Sequence, residues 1–257
     1  MHKEISVDQF MEQLEKTKKA IAAGRINDWL HITKHDGKLE GVQSLSTCSL
    51  PNPLCQLRMR NKDSVCYHCY VQNYLYRKSL IAHLVINFER LTAEIIAAER
   101  LPYFYSMLGR IESFGDIFNE TQGINYVHTI EKNAGTAFAI WSKNPGIWRK
   151  VFMNVGKPRN TSFVLSSSQL NVPAVVPELF EDFVDAVFTV YSLAYLLEHR
   201  DVPIHCGFSK CLKCQLCYRA RKEKNGRIIY VNEILKEDAA EYKKWNDAGR
   251  PAIWPAA

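Results

Sequence analysis

Eight cysteines fall into two separated groups of four: Cys48, Cys55, Cys66 and Cys69 in the first third of the chain, and Cys206, Cys211, Cys214 and Cys217 in the last. Four sulfurs per group is the ligand count of a thiolate iron–sulfur cluster and of structural zinc alike. The second group is spaced Cys-x4-Cys-x2-Cys-x2-Cys. Structural zinc usually joins two Cys-x2-Cys knuckles across a longer gap, whereas cysteines at successive x2 spacing suit a cuboidal cluster that touches several nearby sulfurs. This group is therefore expected to bind a [4Fe–4S] cluster, with zinc as the alternative. The first group, Cys-x6-Cys-x10-Cys-x2-Cys, fits zinc and a cluster equally, because spacing constrains a metal without naming it. A third arrangement joins Cys66 and Cys69 to Cys214 and Cys217 around one shared zinc. His68 lies inside the first group and His205 precedes the second. Either can replace a sulfur, although a lone loop histidine is more often simply hydrogen-bonded. Tyr67, Tyr70, Tyr74, Tyr76 and Tyr218 flank the groups and are expected to shield them from water.

Something must hold these loops in place, and the middle of the chain supplies it. Four apolar, β-prone segments recur at Tyr103–Leu108, Thr136–Ser142, Ser162–Ser167 and Ala186–Ser192. Helical stretches near Thr121–Lys132 and Pro145–Asn154 separate the first three, and Leu193–Glu198 follows the fourth. Strand and helix alternating at short spacing predicts right-handed βαβ units, hence an α/β fold with a partial parallel βα barrel or an open parallel sheet. Cysteine-rich metal-binding loops would stand at both ends of that core. Before it, Ser6-Val7-Asp8-Gln9 reads as a helix start and Gly24 as its stop. Residues 30–39 read as a strand, an Asp-Gly turn and a return, 41–70 as loop, and 71–100 as helix up to Pro102. After it come a short strand at Ile228–Val231 and a helix of mixed charge. The organisation expected is 1–40 as an N-terminal helix and hairpin, 41–218 as the core, and 219–257 as a basic segment and tail.

In parallel α/β folds, ligands bind beyond the carboxyl ends of the strands. The residues predicted there are Arg110, Glu112 and Asp116 after the first of these strands, Lys143 and Asn144 after the second, and Ser167 and Asn171 after the third. Glu112 or Asp116 would serve as acid or base, and Arg110 or Lys143 would hold an anion. A small or nucleotide-like molecule is the substrate such a rim would take. The plainer reading makes Asp116, Asn144 and Ser168 helix caps.

The chain has 257 residues, 47% of them hydrophobic, which suits one large domain with appendages. No apolar run is long enough for a membrane span, and the first residues lack a signal core. A cytoplasmic location is expected, where reduced thiols favour metal over disulfides. The net charge is +6. Lys210, Lys213, Arg219, Arg221, Lys222, Lys224 and Arg227 gather around and after the second cysteine group, against Glu223 alone. Residues 219–227 are thus a possible nucleic-acid contact; the alternative is that cations here offset the negative charge of metal-bound thiolates.

One set of motifs is specific when taken together. It comprises Val65-Cys66-Tyr67-His68-Cys69-Tyr70, Gly109-Arg110-Ile111-Glu112, Phe138-Ala139-Ile140-Trp141-Ser142-Lys143-Asn144, Lys157-Pro158-Arg159-Asn160, Ser166-Ser167 with Asn171, and Cys206-Gly207 leading to Cys211, Cys214 and Cys217-Tyr218. The set resembles the phage gene product 88-like proteins, over about residues 41–218. The resemblance implies a phage or mobile-element origin, a bacterial host cytoplasm and an architecture of paired cysteine groups. A cysteine loop ahead of a βα array is also similar to radical S-adenosylmethionine enzymes, whose fold is a partial βα barrel. Their usual ligand spacing is Cys-x3-Cys-x2-Cys, whereas Cys55, Cys66 and Cys69 are spaced x10 and x2. Cys48, as a fourth ligand, would close the open iron position that S-adenosylmethionine requires.

Overall fold

The computed structural model describes residues 29–69, 71, 77–207, 209–219 and 226–250, together with 12, 15–16, 18–20 and 22–24. The helix start at Ser6, the tyrosines Tyr70, Tyr74 and Tyr76, and most of the basic segment, including Arg221, Lys222 and Lys224, lie outside the described residues.

Seven strands form a single sheet: β1 (Ile32–Lys34), β2 (Gln43–Leu45), β3 (Leu108–Ile111), β4 (Ala137–Ser142), β5 (Thr161–Ser166), β6 (Ala186–Tyr191) and β7 (Ile229–Ile234). Their spatial order is their chain order. β1 pairs antiparallel with β2; the other pairings are parallel. The fold is thus an open, mostly parallel α/β sheet that includes strands on both sides of positions 40 and 218. The helices are α1 (Pro53–Met59), α2 (Lys78–Ala93), α3 (Glu120–Lys132), α4 (Pro145–Val155), α5 (Leu193–Glu198), α6 (Cys211–Cys214) and α7 (Ala239–Asp247).

The order has a direct consequence. Right-handed crossovers that always step to the next strand put their helices on one face of the sheet. On that face Leu45, Ile111, Phe138, Ile140, Phe163 and Leu165 pack with Tyr126 and Val127 of α3 and with Trp148 and Val151 of α4. The opposite face would be bare without a cover. Cys211, Leu212, Leu216, Cys217 and Tyr218 supply one, packing on Val42, Leu108 and Ala139 and on Val164, Phe188 and Val231, with Trp141 between the two clusters. The sheet's far edges also meet. Lys38, in a 3-10 turn between β1 and β2, bonds Glu233 of β7 and lies 3.3 Å from the sulfur of Cys206.

Three local expectations change. The segment Tyr103–Leu108 becomes a strand only at Leu108, whose partner is Ala137; Tyr103 and Tyr105 before it are exposed and unpaired with the sheet. The strand returning from the Asp-Gly turn is Gln43–Leu45, because Gly37–Leu39 forms a 3-10 turn first. The stretch 41–70 therefore contains the first parallel strand and α1 as well as loop. At three residues, β2 is too short to show alternation. The long predicted helix over 71–100 narrows to Lys78–Ala93 among the described residues.

Candidate functional site

The loop after β2 carries the first cysteine group, and it is pinned across the carboxyl ends of the parallel strands. Asn52 caps α1 by accepting from the Leu54 amide and donates 3.0 Å to the carbonyl of Asp116, beyond β3. Arg58, at the end of α1, donates 3.0 Å bonds to the carbonyl of Lys143 and to Oδ1 of Asn144, beyond β4, and stands 3.5 Å from Asp116. Ser64 donates 2.9 Å to the carbonyl of Ser168, beyond β5, and the Val65 amide donates there too. His68 then contacts Glu237, beyond β7, at 3.3 Å. Residues 52–68 thus cross the rim from one side to the other.

Within this strap the four cysteines are not equivalent. Cys48 is fully buried among Leu50, Val71, Ile81, Leu84, Val85 and Phe114, and burial pushes its thiol up to about 12. It is placed as a core residue. Cys55, Cys66 and Cys69 are half-buried, and Cys69 packs against the same apolar cluster as Cys48. The Cys66 amide is held by Ser64 Oγ and the Cys69 amide by the Cys66 carbonyl, so one 3-10 turn presents both. Burial raises the Cys55 thiol well above its usual value, and the nearby charges of Asp116, Cys66, Cys69 and Glu112 push it the same way.

The carboxylates beside them are engaged. At φ 59 the backbone of Glu112 leaves the strand geometry of β3, a left-handed conformation rare for a residue with a side chain. Its carboxylate accepts from the Thr47 amide at 3.1 Å, Thr47 Oγ1 at 2.6 Å, Gln122 Nε2 at 2.8 Å and Tyr126 OH at 2.5 Å. Burial nevertheless raises its pKa to about 6. Asp116 accepts from Ser142 Oγ at 2.5 Å and the Lys143 amide at 2.9 Å. Lys143 reaches Ser166 Oγ at 2.9 Å. Ser167 and Asn171 organise their own loop, Ser167 donating to the Val172 carbonyl and Asn171 accepting from the Ser192 amide. Asn144 begins α4 without a side-chain cap bond, α3 is capped by Asn119 rather than Asp116, and no helix follows Ser168 before the 3-10 turn at Glu178.

Arg110 lies elsewhere. It sits in mid-strand, opposite Ser44 on β2 and Ala139 on β4, on the face that the second cysteine group covers. Its guanidinium stacks 4.3 Å over the Trp141 ring. Around Cys206, Cys211 and Cys217 the cations are Lys38 and Arg110, more than a hundred and fifty and about a hundred residues back along the chain. Lys210, which the local sequence offers, pairs instead with Glu40. Burial lifts Cys206 to about 11 and Cys217 to about 12, and raises Cys211. His205 accepts from the Asn232 amide at 3.2 Å, and Tyr218 is buried against the group.

All eight cysteines are free thiols. The donor chemistry of each group fits a thiolate-bound metal: soft sulfurs, all but Cys214 at least partly desolvated, with Lys38 and Arg110 near the second group. Among the described residues, however, no three His, Cys, Asp or Glu side chains stand as a group ready to hold an ion. A cavity of about 630 Å³ lies far from this chemistry, between α3 and the 95–103 segment, lined by Ile95, Tyr103, His128 and Lys132. Among the described residues no helix is long and apolar enough to cross a membrane. No family model matches the chain, and no curated protein or solved structure matches it either.

Proposed function

We propose that this chain is an iron–sulfur protein of phage or mobile-element type that performs redox or radical chemistry on a small or nucleotide-like substrate at the strand-end rim. The observation that carries the reading is the strap after the first parallel strand. It sets Cys55, Cys66 and Cys69 over the carboxyl ends of a parallel sheet, where α/β folds bind their ligands. Cys55, Cys66 and Cys69 as the ligands, with Cys48 unligated, would leave one iron position open to a ligand such as S-adenosylmethionine. A bound cluster supplies one-electron chemistry. The protein's own groups do the rest. Lys143, partly exposed, offers a cation to an anionic substrate; Asp116 orients the Lys143 amide and Ser142; Arg58 and Ser64 keep the strap in place over the site. Cys206, Cys211, Cys214 and Cys217 hold a second [4Fe–4S] cluster beneath the sheet.

A second reading rests on the way the second cysteine group closes an apolar sheet face. Structural zinc there would make the chain a stapled, non-catalytic module that contacts nucleic acid or a host protein. One preparation separates the two. Protein purified without oxygen is analysed for iron, sulfide and zinc. Brown protein with iron and sulfide in equal amounts is expected; colourless protein carrying zinc alone overturns the reading, and salt-sensitive binding to DNA or RNA would then favour the module.

A further inference from the structure

Two buried donors on the inner sheet face lack an acceptor. Arg110 Nε and Trp141 Nε1 are both shielded from solvent, and neither has a hydrogen-bond partner among the described residues. They are neighbours, the guanidinium lying over the indole. Trp141 packs in both apolar clusters that contain Cys217, together with Cys211 in one and Cys206 in the other. Nearby groups give no relief. His35 Nε2 is engaged with Ser44 Oγ at 2.7 Å, and Glu233 is taken by Lys38. A buried N–H without an acceptor is destabilising, because the water it has lost is not replaced. Lys38, 3.3 Å from Cys206 Sγ, already shows a cation turned to sulfur in this group.

We infer that Arg110 and Trp141 are positioning residues for an anionic sulfur centre held by Cys206, Cys211, Cys214 and Cys217, donating N–H···S hydrogen bonds that favour its reduced form. The inference rests on the iron–sulfur reading above. Four thiolates around an iron–sulfur cube carry net negative charge, and reduction adds one more. Donors and a positive charge aimed at the sulfurs stabilise the added electron, and so raise the potential. Arg110 is well suited to this, since its guanidinium stays charged under any ordinary condition.

The test is a redox titration, followed by electron paramagnetic resonance, of the full chain purified without oxygen. A Cys55→Ser/Cys66→Ser background silences the rim group. In it, Trp141→Phe keeps the ring and removes the donor, and Arg110→Met removes the charge while keeping an unbranched side chain. Retained iron and sulfide, with the reduced form disfavoured about tenfold in each variant, supports the inference; for a one-electron couple this lowers the midpoint by about 59 mV. An unchanged midpoint in Trp141→Phe with iron retained overturns it, whatever becomes of Arg110→Met, and leaves the iron–sulfur reading standing. Wild-type protein with no iron at any cysteine overturns the reading and the inference together.

Discussion

Glu112 and Cys48 show how far burial alone changes what a side chain can do. Glu112 looks like an acid–base residue, yet four donors surround it and water is excluded. Its pKa rises from the usual 4.5 to about 6, so the native state binds a proton more tightly than the unfolded chain does. Stability from this group is therefore complete below pH 4.5 and is lost as pH rises through 6, by about 2 kcal/mol. In Glu112→Gln this dependence disappears. Chemical denaturation from pH 4 to 7 should show the advantage of wild type shrinking by that amount as pH rises. Cys48, packed among aliphatic side chains, should behave as a small hydrophobe. Cys48→Ala is expected to cost about 1–2 kcal/mol while leaving iron content unchanged. Cys66→Ser should lower the iron content instead, read by elemental analysis of the two variants side by side.

The strap between β2 and α2 depends on a few long-range bonds. Arg58 supplies two hydrogen bonds and an ion pair to groups beyond β3 and β4. Arg58→Ala leaves the Asn144 and Lys143 acceptors unmatched and should destabilise by about 1–3 kcal/mol. Amide exchange should quicken over residues 53–69 and much less in β4 and β5. The strands themselves tolerate little added volume. A Cβ on Gly109 would stand 2.3 Å from the Phe138 ring on the neighbouring strand. That ring is fully buried and edge-on to Phe104, so it cannot swing away. Gly109→Ala is expected to cost about 1–3 kcal/mol by overpacking, seen as a lower Tm.

The whole molecule is a curved sheet with helices on one face and a cysteine-bearing segment on the other. Its two edges are joined by Lys38, which meets Glu233 and Cys206 at once. Lys38→Met removes a partly exposed pair and should cost only about 1 kcal/mol in global stability. Its clearer effect should be local: limited proteolysis is expected to cut the 206–218 segment sooner than in wild type, while the helix-face core stays intact. If the variant and wild type are cut at the same rate, the segment is held by its apolar contacts alone.

Much of the architecture was legible along the chain. Strands β4, β5 and β6 and helices α3, α4 and α5 come from runs of apolar residues bounded by Asn, Pro, Gly and Ser, and such runs report local geometry directly. The spacing of the cysteines was equally plain, although among the described residues no three His, Cys, Asp or Glu side chains stand as a group ready to hold an ion. The three-residue β2 was not, since pairing with β3 rather than its own pattern makes it a strand. Nor could spacing separate Cys48 from Cys55, Cys66 and Cys69, or move Arg110 from the rim to the covered face. Those distinctions arise from contacts such as Ser64 with Ser168 and Lys38 with Cys206, 104 and 168 residues apart. Residue types and spacing determined which elements form and which atoms are available for chemistry. Burial and charge at each of those atoms depend on segments distant in the chain, so only the folded packing decided which sulfurs, cations and donors stand together.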